Sequence, residues 1–322
     1  MNNSYNKMIC LDLIRIYACF SVVAVHVAIV FNIPGRIGQF MSAGSNGLGI
    51  FYILSGFLIF ASLESNKGSL LQWYKKRMLR ILPMYYLTIV VFIVLYECII
   101  GGSPEDPIGL KWISYFLGIN TILPKTTVFW YNLASLSSMS VFVWFYILAP
   151  LLKRVVTNWN RAWVFVLAAY VVMKVLGHTN WLQMFGAYYY FAIGILIYYA
   201  IGQKKEKQTV IVLACISVLL LLADAKGGLL YALVIGILII MTYDCVISND
   251  LVAKIITFIS NRTFAIYLAH ATVVQIMWVT YDCKKGITGF VIGTIFTIVV
   301  TALLYEGVEK GTVKLIRSWR NE

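Results

Sequence analysis

Three ionisable side chains stand in the first apolar stretch of the chain: Asp12, Arg15 and His26. Each is costly to bury in hydrocarbon, so each marks a candidate site by default. At 100° per residue, the eleven positions from Arg15 to His26 make three turns and about 20°. That puts both on one helical face, roughly 16 Å apart along the axis. Asp12, Arg15, Cys19, Val22 and His26 then form a single stripe. Asp12 at spacing i, i+3 can hold Arg15 in one rotamer. A guanidinium there can stabilise an oxyanion. An imidazole, with an ordinary pKa near 6.5, can take a proton from a hydroxyl at neutral pH. The plainer reading has Asp12 and Arg15 only neutralising each other, with His26 as an interhelical hydrogen bonder.

Four further groups could join them. Tyr267 and His270, one turn apart late in the chain, fall at a depth similar to His26. Arg77 and Arg80, also one turn apart, sit in the basic run Trp73 to Pro83. They could grip a phosphorylated ligand, since guanidinium groups match phosphate oxygens in pairs; their alternative is a snorkelling lipid anchor. Ser55 precedes Gly56, a residue that permits close backbone approach to a helix or a ligand. No Gly-x-Ser-x-Gly elbow surrounds it, which makes it a pocket residue rather than a nucleophile. Trp130 and Tyr131 could stack on sugar rings, or serve as interfacial anchors.

The elements that must position these groups follow from composition. Of 322 residues 61% are hydrophobic and 12% charged, against roughly a quarter charged in a soluble domain. Apolar runs near twenty residues recur, at 8–33, 47–63, 81–100, 128–152, 162–177, 184–202, 209–223, 228–243, 255–281 and 287–305. They predict an all-α, polytopic transmembrane helix bundle of about ten spans, a single domain over 1–322, with its chemistry inside or at the rims of the bundle. The stretch 112–123 reads as an interfacial or re-entrant helix.

The formal charge of +13 is a topology signal, not a nucleic-acid footprint. With the N-terminus inside, the inner loops and tails hold seventeen Lys and Arg and the outer ones six, so both termini are expected in the cytoplasm. The first span carries Asp12 and Arg15, is too long for a signal-peptide core and lacks an Ala-x-Ala site, so it is expected to stay in the membrane. Six scattered cysteines suggest neither a disulfide framework nor a metal site.

Taken in order, several motifs resemble the acyltransferase-3 family of integral membrane acyltransferases. They are Leu11-Asp12-Leu13 with Arg15 and His26; Phe51-Tyr52-Ile53-Leu54-Ser55-Gly56-Phe57-Leu58; Arg77-x-x-Arg80 before Ile81-Leu82-Pro83; Tyr267-Leu268-x-His270; and the closing Glu309-Lys310. The resemblance implies a multi-pass enzyme of the plasma (inner) membrane. It would move an acyl group, usually acetyl, from cytoplasmic acyl-CoA (acetyl-CoA) to a hydroxyl of a cell-surface glycan or its lipid-linked precursor. Such O-acetylation of an envelope polysaccharide needs no metal.

On that reading Asp12, Arg15 and His26 are catalytic, Arg77, Arg80 and Ser55 bind the donor, and Tyr267, His270, Trp130 and Tyr131 bind the acceptor. The base and acyl-histidine mechanisms both stay open. A transporter or flippase of a glycan precursor is the competing class, because intramembrane Arg and His can also mark a pathway; no internal duplication supports it.

Overall fold

A computed structural model describes residues 2–31, 33, 35–95, 108–124, 134–176, 179, 182–224, 227–245, 247–280, 287–311 and 314. Among these, every regular element is helical. The bundle opens with α1 (Asn2–Val30), the short α2 (Gly35–Ser42) and α3 (Gly47–Glu64). Next come α4 (Leu70–Leu95), α5 (Ile108–Phe116), α6 (Ala134–Val155), α7 (Trp159–Leu176) and α8 (Tyr188–Gly202). It closes with α9 (Glu206–Leu222), α10 (Gly228–Thr242), α11 (Asp250–Ser260), α12 (Thr263–Thr280) and α13 (Ile287–Leu304).

Seven described helices are long and apolar enough to cross a membrane, or eight when α11 and α12 count as one bent span. Helices α9 and α10 coincide with two further expected spans but have only 17 and 15 residues. Large aliphatic side chains stand exposed on the outward faces of α7, α9 and α13: Val164, Leu167, Leu219, Leu222, Ile295 and Leu303. In water such a surface would aggregate, whereas in lipid it is the required one.

Three expectations about the elements need correction. Helix α4 begins at Leu70 rather than near Ile81, so Arg77 and Arg80 stand on a helix and not in a loop. Pro83 lies inside it, which membrane helices tolerate. The stretch 112–123 is helical only to Phe116 and then turns. The span expected at 255–281 is broken, with a bend of 46° between α11 and α12.

The break has a local cause, three consecutive polar residues in an apolar run: Ser260, Asn261 and Arg262. Each is accommodated where it stands. The Asn261 and Arg262 amides close the last turn of α11 onto Thr257 and Ile259. The Thr263 hydroxyl donates to the Ser260 carbonyl at 2.7 Å, and the Arg262 guanidinium donates to the Phe258 carbonyl and pairs with Glu306.

The centre is the contact between α3 and α8. A Cβ added at Gly56 would strike the Phe191 carbonyl, and one at Gly194 the Ile53 carbonyl. The two backbones therefore touch through reciprocal glycines, as closely packed helices in lipid do. This fixes the meaning of Gly56: its bare backbone faces a helix. Around the contact, Phe145 stacks on Phe191 at 3.9 Å and Tyr52 meets Phe191 at 4.9 Å. Such aromatic pairs are each worth about 0.5–1.5 kcal/mol beyond the area they bury.

Candidate active site

The stripe on α1 faces the broken span. At its lower end Arg15 Nη1 donates to Asp12 Oδ1 at 2.7 Å and to Ser260 Oγ at 3.1 Å, while the Ser260 hydroxyl donates to the same Asp12 oxygen at 2.7 Å. The three groups close a ring. A carboxylate and a guanidinium taken out of water need such partners to offset desolvation, and they lose side-chain freedom in return.

One turn up, the Cys19 thiol approaches the Thr263 carbonyl at 3.4 Å. Two turns further, the His26 and His270 rings lie 5.0 Å apart, centroid to centroid, tilted by 58°. Residues 15, 19 and 26 thus meet 260, 263 and 270, nearly the same offset each time. The two helices therefore run parallel.

A cavity of about 140 Å³ opens beside this seam, walled by α1, α3, α4, α6, α11 and α12. Its polar lining includes Arg15, Ser55, Arg77, Arg80, Tyr146, Ser260, Asn261, Thr263 and Tyr267; Phe51, Met139 and Phe142 are among its apolar walls. Arg77 is steadied from one turn below, where its guanidinium lies 5.8 Å from the Trp73 ring. Trp73 in turn donates its indole N–H to Ser62 at 2.9 Å. Among the described residues no carboxylate is paired with Arg77 or Arg80. The cavity therefore carries an excess of cationic groups over carboxylates, which suits an anionic ligand.

Tyr267 closes the other end. Its hydroxyl meets Ser138 Oγ at 2.5 Å, Ser138 donates to the Ser135 carbonyl at 2.6 Å, and the Phe51 ring lies 5.2 Å from the Tyr267 ring. His26 and His270 stand beyond this closure and do not line the cavity. His270 is completely buried, with Nδ1 2.6 Å from the Tyr267 carbonyl, and its Nε2 has no partner among the described residues. His26 is partly buried.

Of the ten residues singled out from the sequence, Arg15, Ser55, Arg77, Arg80 and Tyr267 line one cavity; Asp12 anchors Arg15, and His26 and His270 form a pair next to it. Trp130 and Tyr131 lie outside the described residues. The sequence reading missed Ser260, Ser138 and a cavity role for Tyr146. Ser260 was signalled by the polar triplet that breaks the span. Ser138 was signalled by the hydroxyl-rich run Ser135-Leu136-Ser137-Ser138-Met139-Ser140, unusual in an apolar helix. Tyr146 had no signal beyond its place in an aromatic run.

No curated protein and no solved structure matches the chain. A family model described as an acyltransferase domain matches residues 8–306, nearly its whole length, from the start of the α1 stripe to the end of the bundle. The chain belongs to the acyltransferase-3 family of membrane acyltransferases.

Proposed function

We propose that this membrane acyltransferase takes a short acyl group, acetyl in the simplest case, from cytoplasmic acyl-CoA and passes it to a hydroxyl of a cell-surface glycan or its lipid-linked precursor. The observation that carries the reading is the single cavity that has Arg77, Arg80 and Arg15 in its wall and ends at Tyr267, next to the two imidazoles. Acyl-CoA cannot cross a bilayer with its charged phosphates, so its anionic end must be held at a rim while the thioester goes inward. Arg77 and Arg80 are the groups for that end.

Arg15, held by Asp12 and Ser260, lines the donor cavity below the thioester and orients the anionic donor on its way inward. His26 is the base. It takes the proton from the acceptor hydroxyl as the oxygen attacks the carbonyl carbon, the tetrahedral intermediate collapses with loss of the C–S bond, and the proton passes to the departing CoA thiolate. The acceptor would approach from the histidine side, so Tyr267 would have to move or the thioester reach past it.

Purified protein in detergent, given labelled acetyl-CoA and the glycan acceptor, tests the reading. Acceptor-dependent release of free CoA with label on the glycan is the expected result. No release, with the protein folded and the donor bound, would favour a transporter. Mass spectrometry of surface glycans from cells with and without the gene, searched for a lost ester mass, identifies the acceptor.

A further inference from the structure

The geometry points to His270 as a positioning residue that fixes the tautomer of His26, through a backbone carbonyl that fixes its own. The inference rests on the acyl-transfer reading and says how its base is held. A carbonyl oxygen only accepts, so the contact of 2.6 Å between His270 Nδ1 and the Tyr267 carbonyl puts a hydrogen on Nδ1. In the neutral ring Nε2 is then a bare lone pair, an acceptor. It is completely buried and has no partner among the described residues. An orphaned acceptor in such a place is costly, and it calls for a donor.

The neighbouring imidazole is that of His26, 5.0 Å away between centroids and tilted by 58°. A turn of the His26 ring brings one of its N–H groups toward the His270 lone pair. Donating there leaves the other His26 nitrogen unprotonated, which is the form a general base needs. The chain of roles runs from the Tyr267 carbonyl to His270, from His270 to His26, and from His26 to the acceptor hydroxyl. It has the logic of a catalytic triad, with a carbonyl-locked imidazole where a carboxylate orients the base elsewhere.

The placement also gives the bent span a purpose. Tyr267 supplies the locking carbonyl from its backbone while its side chain, bonded to Ser138, closes the donor cavity. One turn of α12 thereby serves both the donor side and the base.

The chain has only three histidines, His26, His178 and His270, so nitrogen-15 labelling of histidine gives spectra that single substitutions can assign. The full-length protein is labelled, purified in detergent and measured near neutral pH; the resonances that disappear in His270→Gln belong to His270. The expected result is a hydrogen on Nδ1 and a bare Nε2. A hydrogen on Nε2 of His270 overturns the proposal.

Kinetics supply the second arm. His270→Phe should lower kcat by about 10–100-fold, the scale of lost orienting partners, with the KM for acyl-CoA unchanged. His270→Gln, whose amide offers one donor and one acceptor, should recover most of that loss. Combined with His26→Ala, His270→Phe should add no further loss, because it acts through His26. A His270→Phe rate within twofold of the unsubstituted protein, or a Gln variant no better than Phe, overturns the positioning role. A chain that shows the expected tautomer yet transfers no acyl group overturns the acyl-transfer reading instead.

Discussion

Two seams run through the bundle, both between parallel helices, and they are built from opposite materials. Helices α3 and α8 meet through Gly56 and Gly194, backbone on backbone, with aromatic rings filling the flanks. Helix α1 meets α11 and α12 through a carboxylate, a guanidinium, a thiol, a hydroxyl and two imidazoles. The first seam shows what association in lipid requires, which is small residues and complementary shape. The second exceeds that requirement. Its ionisable groups carry a desolvation cost that packing does not call for, and they lie along and beside the cavity that holds three arginines. On the proposed function, stability and chemistry fall to different seams of the same bundle.

That separation can be broken by substitution. The largest effect is expected at Arg15. On the proposed function, Arg15→Ala removes the group that orients the donor and leaves Asp12 and Ser260 without their shared partner, so kcat for transfer should fall on the order of 10²-fold in initial-rate assays. A fall of less than threefold would detach the polar seam from catalysis.

Next come Arg77→Ala and Arg80→Ala. Each should raise the KM for acyl-CoA about tenfold, consistent with losing a charge-assisted contact of roughly 1.5 kcal/mol, and leave kcat nearly unchanged. Titration calorimetry with CoA should show the same weakening.

The other seam should answer differently. Gly56→Ala or Gly194→Ala pushes a methyl group against a facing carbonyl, an overpacking that costs about 1–3 kcal/mol. Thermal unfolding in detergent should shift downward while turnover per folded molecule is retained. If turnover per folded molecule collapsed instead, the two seams would not be separate in function.

The smallest effect belongs to the Lys153–Glu64 ion pair, 2.8 Å apart, in which the Glu64 side chain is 66% exposed. Glu64→Gln should cost no more than about 0.5 kcal/mol by the same unfolding measurement.

The elements of the fold were legible in the sequence because lipid leaves a chain few choices: apolar runs near twenty residues become helices, and those helices stand where the runs are. The polar stripe on α1 was equally legible, since helical periodicity alone puts Asp12, Arg15 and His26 on one face. Its partners were harder to read. Which helix faces the stripe is a matter of packing between spans distant in sequence, so Ser260 at the Arg15 end and Ser138 over Tyr267 became evident only in three dimensions. The break at 260–262 hid because the run on either side is apolar enough to read as one span. Helix α4 extended further than expected because amphipathic and basic residues continue a helix past the apolar run that hydropathy detects, carrying Arg77 and Arg80 on a rigid element.

The most direct test of the central claim is acceptor-dependent CoA release by His26→Ala beside the unsubstituted protein, with acyl-CoA binding measured on the same samples. The account predicts that donor binding is kept and transfer is lost. Unchanged turnover in the variant would contradict it.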